Sequence, residues 1–251
     1  MWSEAPESLS LASGEVHAWR APLDLPAELE STLQEDFLRT LNGEEIARAN
    51  RFHFDQHRRR FILARGFLRE LLARYLQTTP AAVTFSYGPY GKPALGDERA
   101  HLRFNASHSH ELAVFAFVQD CEIGVDVEYI KTDLKTDEIA NHFFSLAEVQ
   151  TLNSLPETEK AAAFFRCWTR KEAYIKAIGH GLSHPLDEFD VTLAPGEPAA
   201  LLYDYRDPNA ATRWSMLNLE LDDYAGALAV EGINVARVQT YELRPPTRQI
   251  L

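Results

Sequence analysis

A chain of 251 residues, 45% apolar and 25% charged, can bury one large core or two smaller ones and lies outside the disordered regime. Its formal charge of -12, from 25 basic and 37 acidic side chains, argues against general nucleic-acid binding, which depends on neutralising phosphates. Cys121 and Cys167, the only cysteines, stand in no CxxC or zinc-ligand spacing, so a disulfide framework and a structural zinc site are both unsupported and a reducing cytoplasm is the expected setting. The longest apolar run, residues 112–118, is strand-sized, whereas a membrane span needs about 20 residues. The acidic first residues lack the basic start and apolar centre of a secretory signal.

The elements fall in two similar sets. Residues 15–20 read as a strand and 26–41 as a helical stretch opened by Pro26, whose missing N–H costs nothing in a first turn. Residues 55–76 form the clearest helix of the first half, with Phe61, Ala64, Leu68, Leu71 or Leu72, and Tyr75 at helical spacing. Strands are expected at 83–86, 101–105 and 112–118, with the turn-rich YGPYGKPAL after the first of them. In the second half a strand at 123–127 leads into a helical stretch at 137–152, then a strong helix at 159–178 stopped by Gly179 and Gly181. Strands at 189–193, 213–219, 226–230 and 236–241 follow, and the tail at 244–251 reads as loosely attached. The repeated order predicts two comparable α+β subdomains, 1–119 and 120–251, with a site between them.

One region reverses the overall charge. Arg48, Arg51, Arg58, Arg59, Arg60, Arg65, Arg69 and Arg74 stand there against Asp55 and Glu70. On an acidic protein such a patch suits a small polyphosphate or an acidic protein surface, and a solvated helix face accounts for it equally well.

In EIGVDVE, residues 122–128, Ile123, Val125 and Val127 alternate with Gly124, Asp126 and Glu128. A strand puts Asp126 and Glu128 on one face, where a hard divalent cation relieves their mutual repulsion. The bland alternative is the solvated face of an edge strand. On the helix at 159–178, Glu172 shares a face with Trp168 and Ile175, where the pattern would place an apolar residue, and Lys176 follows one turn on. Glu172 can complete a three-carboxylate magnesium site or act as a general base, and Lys176 can steady phosphate charge; an ordinary surface pair is the other reading.

In RFNASHSHEL, Ser107 and His108 are expected at a loop tip between two strands. No GxSxG elbow accompanies them, so contact with phosphate oxygens suits them better than a hydrolase pair. Lys92, the only lysine before residue 131, lies in GKPAL, where Gly91 and Pro93 fix its backbone; a ligand contact and a surface turn both fit. The chain has no GxxxxGK[ST] loop and no GxGxxG fingerprint.

Together, GKPAL at 91–95, FNASHS at 104–109, GVDVE at 124–128 and WTRKEAYIKAIGHGL at 168–182 resemble, in order and spacing, the 4'-phosphopantetheinyl transferases of the larger, surfactin-synthetase-activating class. The likeness runs over residues 48–191. It implies a monomeric pseudo-dimer of two similar α+β halves. It further implies magnesium held by Asp126, Glu128 and Glu172, with Lys176 matching the family lysine one turn beyond. Coenzyme A would be held by Lys92, Ser107, His108 and basic residues including Arg51 and Arg58, with Arg48 and Arg59 as further candidates. Family members often carry lysines where this chain has arginines.

The implied reaction moves the 4'-phosphopantetheine group of coenzyme A onto a serine hydroxyl of an apo acyl or peptidyl carrier protein and releases adenosine 3',5'-bisphosphate. Glu172 would take the serine proton, directly or through water, and Lys176 would meet the charge of the leaving group. On the residues alone two other readings stay open, a magnesium-dependent phosphoanhydride hydrolase and a non-catalytic coenzyme A or carrier-binding module.

Overall fold

The computed structural model describes residues 1–6, 8–97, 101–232 and 237–243. The first half runs β1 (Ser3–Glu4), β2 (Glu15–Pro22), α1 (Ala27–Leu38), α2 (Gly43–Ala49), α3 (Asp55–Leu76), β3 (Phe85–Tyr87), β4 (Pro93–Leu95), β5 (Leu102–Ser109) and β6 (Leu112–Gln119). The second runs β7 (Ile123–Tyr129), α4 (Thr136–Phe143), α5 (Leu146–Ser154), α6 (Glu157–Ile178), β8 (Phe189–Val191), β9 (Leu201–Asp204), α7 (Ala210–Arg213), β10 (Trp214–Asn218), β11 (Tyr224–Glu231) and β12 (Arg237–Glu242). The expected tail at 244–251, and residue 236 of the last expected strand, lie outside the described residues.

Local chemistry sets the ends of the helices. α3 closes on Gln77, left-handed at φ 51°, and α6 on Gly179 at φ 73°, whose N–H returns to the Ile175 carbonyl. α2 and α5 open with reciprocal capping boxes, Asn42 with Glu45 and Ser145 with Glu148. The second box corrects the sequence reading. The single helical stretch expected at 137–152 is two helices, because Phe144 is extended and Ser145 starts α5 afresh.

The strands build two sheets. One has the order β1-β12-β2-β6-β5, with β12 parallel to β2 and β6 antiparallel to it, so the last strand among the described residues returns to the sheet of the first half. The other is the antiparallel set β10-β11-β7. Period-two burial glues them together. On β6, Ala113, Phe115 and Phe117 join the core containing Phe61, Phe67 and Leu71 of α3, while Val114, Ala116 and Val118 join a second cluster with Ile123, Val125 and Val127 of β7. Both faces of β6 are therefore covered, which is why its sequence is apolar from Leu112 to Val118. A third cluster gathers around α6, with Phe164, Tyr174, Phe189 and Trp214. The result is an α+β pseudo-dimer, each half laying a 22-residue helix against its own sheet. Among the described residues no helix is long and apolar enough to cross a membrane.

Candidate active site

β5 and β7 are the facing edges of the two sheets, and side chains join them where no backbone ladder does. Three polar residues at alternate positions of β5 reach across. Asn105 Oδ1 accepts the Val125 N–H at 3.0 Å, and the Ser107 hydroxyl donates to Asp126 Oδ1 at 2.8 Å. The Ser109 hydroxyl donates to Glu128 Oε2 at 2.6 Å and accepts the Tyr129 N–H at 3.2 Å. Ser107 and His108 thus lie inside a strand, paired with Val114 and Ala113 of β6, and the expected loop tip falls at His110, at φ 52°.

The acidic face of β7, which Gly124 shares with Asp126 and Glu128, meets α6 at unusually short range. A Cβ on Gly124 would stand 2.0 Å from the Ala173 carbonyl oxygen and 2.5 Å from the Ala177 nitrogen, so only glycine lets the helix seat there. That contact carries the side chains of α6 to the acidic face of β7. Lys176 Nζ donates to Asp126 Oδ1 at 2.6 Å and to Ser107 Oγ at 3.0 Å. Its ion partner is Asp126 rather than Glu172, the neighbour one turn away on its own helix.

Asp126 is buried, and its second oxygen, Oδ2, has no hydrogen-bond partner. Burial, then the charge of Asp126 and, less strongly, that of Glu128, push Glu172 up to about 7, against the pull of Lys176. Glu128 is also raised, first by burial and then by Asp126, with the Ser109 hydrogen bond working the other way. His108 keeps an accessible edge but is crowded by protein. That desolvation, with the positive charges of Lys176, Arg48 and Arg60, holds it below the usual imidazole value.

Ser107, His108 and Lys176 of this cluster line a cavity of about 400 Å³, with Arg48 and Lys92 completing its polar wall and Phe61 and Ile175 among the apolar residues; the three carboxylates stand behind that wall rather than in it. A neighbouring hollow of about 800 Å³ shares Arg48 and Arg65 with it and adds Arg51. The arginine-rich segment divides on closer view. Arg69 is buried on Glu45 at 2.8 Å, Arg65 pairs with the other oxygen of Glu45 at 2.7 Å, and Arg59 pairs with Glu30 at 3.0 Å. Arg58 donates to Asn50 at 3.3 Å and lies outside the walls of both hollows, whereas Arg51 lines one. Lys92 borders the cavity but turns its ammonium to Glu122 and the Ala177 carbonyl.

Sequence reasoning passed over Asn105, Ser109 and Glu45. The polar alternation N-x-S-x-S along β5 was the signal for the first two; nothing local announces Glu45 as the partner of Arg69, 24 residues away.

Among the described residues no three His, Cys, Asp or Glu side chains gather tightly enough to hold a metal ion on protein atoms alone. The donor set nevertheless fits a hard cation that also takes oxygens from a bound phosphate: three carboxylates near one another, one with an unpartnered buried oxygen.

An acidic seam opening on a basic, partly apolar cleft is the chemistry of a protein that holds a polyphosphate beside a proton acceptor. Comparison with known families agrees. Residues 122–229 match the 4'-phosphopantetheinyl transferase superfamily, and residues 30–119 match the 4'-phosphopantetheinyl transferase N-terminal region. The 4'-phosphopantetheinyl transferase HetI of Nostoc sp. is 46% identical, over 92% of this chain and 94% of its own length. The 4'-phosphopantetheinyl transferase Sfp of Bacillus subtilis is 34% identical, over 74% of this chain and 81% of its own. The chain belongs to the 4'-phosphopantetheinyl transferase family and is of the Sfp-like type.

Proposed function

We propose that this transferase holds magnesium with Asp126, Glu128 and Glu172, and coenzyme A in the cleft lined by Arg48, Ser107 and His108. Its activity is transfer of the 4'-phosphopantetheine group of coenzyme A to carrier proteins. The observation that carries the finer reading is the convergence of Asp126, Lys176 and Ser107 within 3.0 Å of one another at the mouth of that cleft. When bound, magnesium would supply positive charge to the pyrophosphate oxygens.

The chain's own residues do the rest. His108 presents a neutral donor to phosphate oxygens, Ser107 holds Asp126 and Lys176 together beside them, and Arg48 and Arg51 supply charge for the nucleotide end. The carrier serine oxygen forms its bond to the β-phosphorus as the anhydride P–O bond breaks, and adenosine 3',5'-bisphosphate leaves with that electron pair. Glu172 receives the serine proton; its burial among carboxylates suits it to hold one near neutral pH. Lys176 faces the charge that grows on the departing phosphate. The packing of both sheets within one chain supports action as a monomer, and two free cysteines are compatible with the cytoplasm.

Intact-mass measurement of several apo acyl and peptidyl carrier proteins, incubated with the enzyme, coenzyme A and magnesium, tests this reading. Addition of the phosphopantetheine group to the carrier serine is expected. Release of adenosine 3',5'-bisphosphate without any carrier would point instead to a phosphoanhydride hydrolase.

A further inference from the structure

The β3–β4 hairpin of the first half grips the C-terminal end of α6, in the second half, through Lys92, beside a ring contact between Tyr90 and His180. Lys92 Nζ donates to the Ala177 carbonyl at 2.7 Å and pairs with Glu122 Oε2 at 2.5 Å. Its methylene chain lies along Gly179, where an added Cβ would stand 3.3 Å from Lys92 Cδ. An ammonium on the last carbonyls of a helix is favourably placed against the helix dipole. Gly91, at φ 82°, makes the turn that aims the lysine there.

Glu122 precedes β7 and its other oxygen faces Arg103, with Nε at 3.7 Å. It stands outside the wall of the 400 Å³ cavity and lines the hollow on the opposite side of the hairpin, whereas Lys92 borders both. Glu122 is therefore not one of the residues that line the cleft. Ala177, the residue that Lys92 holds, is also where α6 seats on β7, its nitrogen and Cα lying 2.5 and 3.0 Å from the Cβ position of Gly124. Lys176, which reaches Asp126, is the adjoining residue.

We propose that Glu122 is a positioning residue for the transfer reaction: by holding Lys92 against the Ala177 carbonyl it fixes the last turn of α6 and so the reach of Lys176 to Asp126. The inference rests on the transferase activity and is independent of the metal reading. It separates two roles for Lys92. A lysine that contacts coenzyme A controls affinity for it. A lysine that anchors α6 controls the rate, and does so only while Glu122 holds it.

The test compares Glu122→Gln, Lys92→Met and the double variant in steady-state transfer to one apo carrier, with amide hydrogen exchange at Gly179 in the ligand-free proteins. Glu122→Gln is expected to lower kcat about fivefold to tenfold with KM for coenzyme A within about twofold, the pattern of a displaced transition-state contact. The double variant should be no worse than Lys92→Met alone, since both remove one coupled contact. Exchange of the Gly179 amide, which donates to the Ile175 carbonyl at 3.1 Å, should quicken in Glu122→Gln. Wild-type kcat with unchanged Gly179 exchange would overturn the proposal. So would a raised KM with unaltered kcat, which would assign Lys92 to the ligand. Wild-type protein inert toward every apo carrier would count against the transferase reading, and the Gly179 exchange rate would still decide the role of Glu122.

Discussion

Lys176 forms its ion pair with Asp126, fifty residues away, although Glu172 lies one turn from it on the same helix. The choice has a physical cause. Asp126 is buried on β7 beneath α6, where a carboxylate with no cation nearby would be costly, while Glu172 lowers its own cost by holding a proton near neutral pH. Lys176 is therefore the counter-ion of a buried acid, and in the function proposed above it also faces the reacting phosphate.

Two effects of Lys176→Ala follow. Loss of one well-placed electrostatic contact should lower kcat by roughly 10²-fold. Leaving Asp126 Oδ1 with Ser107 alone should also lower stability by about 1–3 kcal/mol, the cost of stripping a partner from a buried acceptor. Lys176→Arg should restore part of the rate, because its charge is spread over a planar fork. Steady-state transfer and thermal melts measure both effects; near wild-type kcat would reduce Lys176 to a structural counter-ion.

Glu172 predicts a pH-dependent stability in chelator. Its folded-state value, about 7, is above the usual 4.5, so the folded protein binds the extra proton. The penalty for ionising Glu172 is in full force above pH 7 and fades as pH falls toward 4.5. Glu172→Gln removes that penalty. The variant should melt higher than wild type at pH 8, by about 2–4 °C for each kcal/mol relieved, and the difference should shrink as pH falls from 7 and vanish only below 4.5. A difference that does not change with pH would contradict the assigned burial of this charge.

The cleft arginines differ in their expected effects. Arg51 lines the hollow beside Arg48, so Arg51→Ala should weaken coenzyme A about tenfold and dephospho-coenzyme A much less, since only the former carries the 3'-phosphate. Arg58, held by Asn50 outside that wall, should change neither by more than about twofold. Calorimetric titration of both ligands checks this. Equal weakening of the two by Arg51→Ala would move it away from the 3'-phosphate.

These residues also show what a sequence can reveal. α3 and α6 were legible because their apolar spacing runs for 22 residues each, and the acidic face of β7 because strict alternation leaves Asp126 and Glu128 no other side. The break between α4 and α5 was written in Ser145 and Glu148, a capping box that the continuous helical pattern masked. Partners were another matter. The arginine count could not reveal that Glu45 binds Arg65 and Arg69, nor helical spacing that Lys176 would reach across the seam. Such pairings depend on how the two sheets stack, which no local pattern encodes. The reading of Lys92 in GKPAL likewise missed Glu122, 30 residues on, because only the folded hairpin brings them together.

Asp126 is the residue on which the account turns, since it links strand, helix lysine and serine and offers one unpartnered buried oxygen to a cation. The most direct test is steady-state transfer by Asp126→Ala to an apo carrier across a magnesium titration, with a thermal melt of the same protein. The account predicts transfer abolished at every magnesium concentration, while the variant still melts in one cooperative transition, because the change also relieves crowding among like charges. Wild-type turnover with unchanged magnesium dependence would contradict it.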